Sequence, residues 1–107
     1  MKLHCVPCEG GATALSSENV RELVQQIDAQ WKVEEERSIR REWKFKNFKD
    51  ALAFANKVGE IAEAERHHPD LEIGWGRVKV SLRTHAANGL TENDFILARA
   101  IDQIPKM

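Results

Sequence analysis

Cysteine is scarce in this 107-residue chain. Cys5 and Cys8 are the only two, too few for the disulfide framework on which small secreted domains rely. An excess of charge of one sign is missing as well: 16 Lys and Arg stand against 17 Asp and Glu, a formal net charge of −1. Nothing in that balance marks a nucleic-acid binder. No apolar run approaches the roughly 20 residues needed to cross a bilayer, so no membrane role is expected. The opening Met1-Lys2-Leu3-His4-Cys5 lacks the apolar centre of a signal peptide, which makes the cytoplasm the expected compartment. Repeats and low-complexity tracts are absent too. What is present, 31% charged and 42% hydrophobic residues, is the make-up of one soluble globular domain.

Residues 1–15 differ from the rest. Cys5-Val6-Pro7-Cys8-Glu9-Gly10-Gly11 is turn chemistry and reads as an irregular arm carrying a Cys-x-x-Cys pair, ahead of a single domain over 16–107. A helix is predicted from Ser17 to about Ala29, because Val20, Leu23, Val24 and Ile27 form one apolar stripe. From Trp31 the period becomes two. Trp31 and Val33 alternate with charges, and Ile39, Arg41, Trp43 and Phe45 share one side of a second strand, with Glu35-Glu36-Arg37 as the hairpin loop. Arg41 breaks the apolar alternation, and with Arg40, Lys44, Lys46 and Lys49 it reads as part of a solvated face.

Asn47 can cap a helix running to about Arg66, with Ala51, Leu52, Ala55, Val58, Ile61 and Ala62 as its buried stripe. Pro69 forbids its continuation. Leu71, Ile73 and Trp75, a turn at Gly76-Arg77, then Val78, Val80 and Leu82 make a second hairpin. Thr91 opens a last helix to about Gln103, with Asp94 completing a capping box and Leu90 stapled onto Phe95. The order α-β-β-α-β-β-α predicts an α+β fold: a four-stranded antiparallel sheet with three helices on one face.

Three of the four histidines lie close together in sequence: His67, His68 and His85. His67-His68-Pro69 ends the long helix, and His85 follows the fourth strand. An ordinary hairpin between the two brings all three imidazoles to one end of the sheet. Glu63, one turn before His67, and Asp94, at the start of the last helix, bring carboxylates to the same place. Imidazoles fixed by carboxylates suit proton transfer near neutral pH. An acid at a leaving hydroxyl and a base at a neighbouring N–H would together eliminate water.

Glu63-x3-His67-His68-Pro69, Trp75, His85 and Asp94 resemble the signature of the pterin-4a-carbinolamine dehydratases. Trp31, Phe45-Lys46-Asn47-Phe48 and Thr84-His85 through Gly89-Leu90-Thr91 extend the likeness over about Leu15 to Ile104. The resemblance implies dehydration of 4a-hydroxytetrahydropterin to quinonoid dihydropterin, in recycling of the pterin cofactor. It implies no metal and no organic cofactor, the pterin being the substrate, and assembly as a homodimer or homotetramer. Carried over by position, His67 and His85 would be the acid/base pair and His68 would orient the ring. Glu63 and Asp94 would hold imidazoles, and Trp31 and Thr84 would belong to the pocket.

Other readings compete. A histidine pair at a helix end can simply satisfy the last carbonyls and the helix dipole. Asp94 is explained by capping alone, and Trp31 and Trp75 can be core. A metal site on His67, His68, His85 and Asp94 is a weaker alternative, as is one on His4, Cys5 and Cys8, which lacks a fourth ligand. The Cys5/Cys8 arm can equally be a docking arm or a redox pair. A non-catalytic binding or assembly module on the same fold is the alternative to an enzyme.

Overall fold

The computed structural model describes residues 1, 3–6 and 13–105. Ser16 caps the first helix, α1 (Ser17–Val24), through its side-chain oxygen and the Asn19 N–H. The helix stops well short of the expected Ala29. The Asp28 N–H donates to the Asp102 carboxylate at 2.9 Å instead of continuing the helical ladder, so a tertiary bond outweighs local propensity. Ile27 still reaches the core, by a turn rather than by the helix.

Strands β1 (Lys32–Glu34) and β2 (Ser38–Lys44) form the first hairpin. Glu35 and Glu36 hold its loop in the left-handed region, at φ 50° and 59°. Ile39, Arg41 and Trp43 share the inner face, as the alternation predicts, but Arg41 is not solvated. Its guanidinium donates to Asp102 at 2.7 Å and lies 4.5 Å from the Trp43 ring centroid. Asp102 thereby satisfies a cation that the strand pattern alone leaves unexplained.

Asn47 caps α2 (Phe48–Glu65) by accepting the Asp50 N–H. Its buried stripe is Ala51, Phe54, Ala55, Val58 and Ala62. Phe54 takes the place expected for Leu52, which is exposed, because Phe54 stacks on Trp43 and Phe45. Strands β3 (Asp70–Gly74) and β4 (Arg77–Leu82) close the second hairpin. Gly74 pairs with Arg77, so the turn is Trp75-Gly76, one residue earlier than expected. Only glycine fits at 76: a Cβ there would stand 2.6 Å from the Phe45 carbonyl oxygen, which is why the Phe45 N–H can reach the Gly76 carbonyl. Trp75 projects from this turn and is 70% exposed, so it is no core tryptophan.

The sheet runs β1-β2-β4-β3, all antiparallel. Its inner face, Ile39, Trp43, Val78, Val80 and Leu82, is buried under the helices. The other face carries ion pairs such as Lys44–Glu42 and Lys79–Glu72. The last helix, α3 (Glu92–Asp102), contributes Phe95, Ile96, Leu97, Ala98 and Ile101 to the interior. It is buried on more sides than its expected stripe, because α1 and α2 both pack on it. The order is α-β-β-α-β-β-α, with the helices on one face of the sheet.

Candidate active site

The site begins where α2 ends. Arg66 turns left-handed at φ 56°, and the His67 N–H reaches back to the Ala62 carbonyl while the Arg66 N–H bonds Glu63. This pair of bonds is a Schellman motif, closed here by an arginine where glycine is usual. It swings the chain off the helix axis, so the helical spacing that pairs Glu63 with His67 no longer applies. Glu63 instead bonds His68, both side chains largely exposed. His67 turns the other way, toward α3.

There it meets Asp94. The His67 Nε2 lies 2.6 Å from Asp94 Oδ1, with the imidazole 11% exposed and the carboxylate fully buried. Asp94 sits at the third position of α3, and its Oδ2 accepts the Thr91 N–H at 3.0 Å, the bond expected of a capping box. The same oxygen accepts the Thr84 hydroxyl at 2.9 Å. Thr84 in turn has Thr91 Oγ1 at 2.7 Å, so the Thr91 hydroxyl donates to Thr84 and the Thr84 hydroxyl to Asp94. Asp94 is thus ringed by donors: a backbone N–H, a hydroxyl and an imidazole. A carboxylate so placed acts only as acceptor, which puts the His67 proton on Nε2 and leaves Nδ1 as the ring's other working atom.

His85 follows Thr84 directly. β4 stops at Leu82, and a bridge between Thr84 and Gly89 closes a short loop whose single 3₁₀ turn, His85–Ala87, presents His85 at the surface. Asn88 completes the loop in the left-handed region and accepts from Arg83. The His85 carbonyl accepts the Asn88 N–H at 3.1 Å, and its imidazole makes no hydrogen bond among the described residues. One buried carboxylate therefore anchors both stretches: it holds His67 by one oxygen and, through Thr84, the base of the His85 loop by the other. The start of β3 lies opposite the end of β4, with Asp70 against Ser81, which brings His67-His68 and His85 to the same end of the sheet.

Trp31 is elsewhere. It is buried beside β1, the sheet edge opposite β3, with its Nε1–H on Asp102 at 2.7 Å and its ring edge-on to Trp43. Its contacts are those of a core residue. Thr91 and Asn93 belong to the site's surroundings and had no functional signal in the sequence beyond the cap. His4 and Cys5 lie against Glu65 and Asn93, and Cys8 falls outside the described residues. Among the described residues no group of three His, Cys, Asp or Glu side chains is arranged to hold a metal ion.

A family model described as pterin 4 alpha carbinolamine dehydratase matches residues 13–104. The chain belongs to that family. A protein of Alkaliphilus metalliredigens, provisionally named a pterin-4-alpha-carbinolamine dehydratase, is 44% identical over 92% of this chain and 89% of its own length. One from Legionella pneumophila strain Corby, named in the same way, is 48% identical over 94% of this chain and 90% of its own length. Among solved structures, a transcriptional coactivator/pterin dehydratase from Brucella melitensis superposes with a TM-score of 0.76 at 34% identity, covering 83% of this chain and 95% of that one. The match to the family model spans every element from α1 to α3, and so takes in the whole of the histidine end of the sheet.

Proposed function

We propose that this protein dehydrates 4a-hydroxytetrahydropterin to quinonoid dihydropterin by histidine acid/base catalysis. The observation that carries the reading is the Asp94 anchor, which fixes one imidazole and the base of a second histidine's loop at one end of the sheet. In the reaction the bond from the 4a carbon to its hydroxyl oxygen breaks. One imidazolium gives its proton to that oxygen, which leaves as water. The other imidazole takes the proton from the adjacent ring N–H, and the freed electron pair closes the C=N bond.

His67 and His85 are the pair in this scheme. His67 would work through Nδ1, because Nε2 is committed to Asp94. His85, exposed and on a short loop, can exchange protons with solvent between turnovers. His68, paired with Glu63 at the surface, would orient the heterocycle. The role of Thr84 is to orient the carboxylate rather than to touch the pterin. The proposed setting is recycling of a pterin cofactor in the cytoplasm by a homodimer or homotetramer. Apolar side chains left at the surface of the single chain, Phe48, Leu52, Ile73 and Trp75, support self-association.

Stopped assays following loss of 4a-hydroxytetrahydropterin test this. Wild type should accelerate the loss, and His67→Ala and His85→Ala should each lower kcat by about 10²–10⁴-fold. His68→Ala should raise KM more than it lowers kcat. Unchanged turnover in the first two variants would remove the acid/base assignment. No acceleration by wild type would favour a binding or assembly module instead.

A further inference from the structure

Residues 4–6 of the N-terminal arm bond to two side chains of the fold, Glu65 and Asn93, and both adjoin the site. Glu65, the last residue of α2, is 14% exposed and takes the His4 Nδ1 at 2.7 Å on one oxygen. Its other oxygen accepts the Cys5 N–H, also at 2.7 Å. Asn93, in the first turn of α3 and 4% exposed, accepts the Val6 N–H at 2.9 Å and donates to the Val6 carbonyl at 2.6 Å. The Cys5 thiol lies 3.5 Å from the Asn93 carbonyl oxygen. Residues 4–6 therefore bridge the end of α2 to the start of α3. Glu65 stands two residues before His67, and Asn93 stands next to Asp94. The arm ties together the two backbone segments whose side chains form the 2.6 Å contact at the centre of the site.

We infer that residues 4–6 are a clasp that positions the His67–Asp94 pair, with Glu65 and Asn93 as the positioning residues that receive it. The assignment rests on the dehydratase reading for its effect on turnover, though not for its effect on the pair's geometry. The clasp is thus a second polar tie between the α2 terminus and the start of α3, beside the imidazole–carboxylate bond, and it opposes the same motion that would break that bond. A misplacement of about 1 Å at a catalytic group can cost about 10²-fold in rate, so a clasp remote from the substrate can matter to kcat.

Two variants of the full chain open the clasp from opposite sides. Val6→Pro removes the N–H given to Asn93, at an arm residue that is 46% exposed and outside the core. Glu65→Ala removes the acceptor for His4 and Cys5, and Glu65→Gln, which keeps an acceptor for the Cys5 N–H, is the conservative rescue. The first readout is solvent exchange of the His67 Nε2 proton by NMR, which needs no turnover. It should quicken at least tenfold in Val6→Pro and Glu65→Ala and recover in Glu65→Gln. The second is the dehydratase assay, in which kcat should fall about tenfold or more while KM stays within twofold. Unchanged exchange would overturn the clasp, and faster exchange with unchanged kcat would overturn its part in catalysis. A wild type without dehydratase activity would sink the functional reading alone, and the exchange comparison would still decide whether the arm holds the pair.

Discussion

Replacing Asp94 with asparagine changes one atom of a fully buried side chain, and the consequence follows from counting donors. Two of them, the Thr84 hydroxyl and the Thr91 N–H, converge on Oδ2, so the amide oxygen of the variant must take that place. Its NH₂ then faces His67 Nε2, where the wild type presents a carboxylate oxygen at 2.6 Å. Two donors cannot share that contact. The imidazole resolves it by moving its proton to Nδ1, the atom that must accept or deliver a proton in the reaction. The wrong tautomer forfeits the positioned acid/base, about 10²–10⁴-fold in kcat, or about 3–5 kcal/mol of barrier. The cap survives, since the amide oxygen still accepts from Thr91, and the fold should lose no more than about 1–2 kcal/mol. Asp94→Ala differs: it strands the Thr91 N–H and frees the Thr84 hydroxyl in the interior, each costing about 1–3 kcal/mol. Turnover, urea unfolding and the nitrogen chemical shifts of His67 together separate the two variants. Turnover of Asp94→Asn within threefold of wild type, with the protein folded, would refute the reasoning.

Two further outcomes are expected. Gly59→Ala should stabilise the chain by roughly 0.5–1 kcal/mol, because an added Cβ in mid-helix meets nothing within 4 Å; Gly76→Ala should instead destabilise it by at least about 1–3 kcal/mol, and equal urea midpoints for the pair would contradict the turn geometry. Acid should release the arm: the His4 hydrogen bond, and after it the Cys5 N–H, hold the Glu65 carboxyl below the usual glutamate range against the opposing effect of burial. A lowered folded-state value gives stability that is present above the ordinary value of about 4.3 and lost as pH falls through the lowered one. The Cys5 and Val6 amide resonances should therefore keep their docked shifts from pH 7 down to the ordinary glutamate range and lose them as acid protonates Glu65 below it. Docked shifts that stay unchanged once the Glu65 carboxyl resonance reports protonation would contradict the assignment.

The sequence carried the fold through local signals that tertiary contacts left intact. The Asn47 and Thr91 caps, the change of period at Trp31 and the alternation from Val78 to Leu82 each correspond to an observed element. It was less informative where one distant residue intervenes. Asp102 stops α1 early, holds Trp31 and turns Arg41 inward, and no window of sequence around those three residues contains it. At the site, residue types and spacing brought His67, His68, His85 and Asp94 to one end of the sheet. The pairing of carboxylates with imidazoles was not legible, because the left-handed turn at Arg66 has no glycine to announce it. That turn sends His67 to Asp94 and returns His68 to Glu63. The partners of the arm were equally hidden: Asn93 looks like any polar residue of a first helical turn until Val6 is seen against it.

The central claim is that His67 and His85 act on opposite protons of one bound heterocycle, and binding of an oxidised pterin analogue tests it most directly. A crystal structure of the complex should place the analogue in hydrogen-bond reach of His67 Nδ1 and of the His85 ring, with Asp94 still on His67 Nε2. An analogue bound elsewhere, or touching His68 while both of the other imidazoles stand clear of it, would contradict the account.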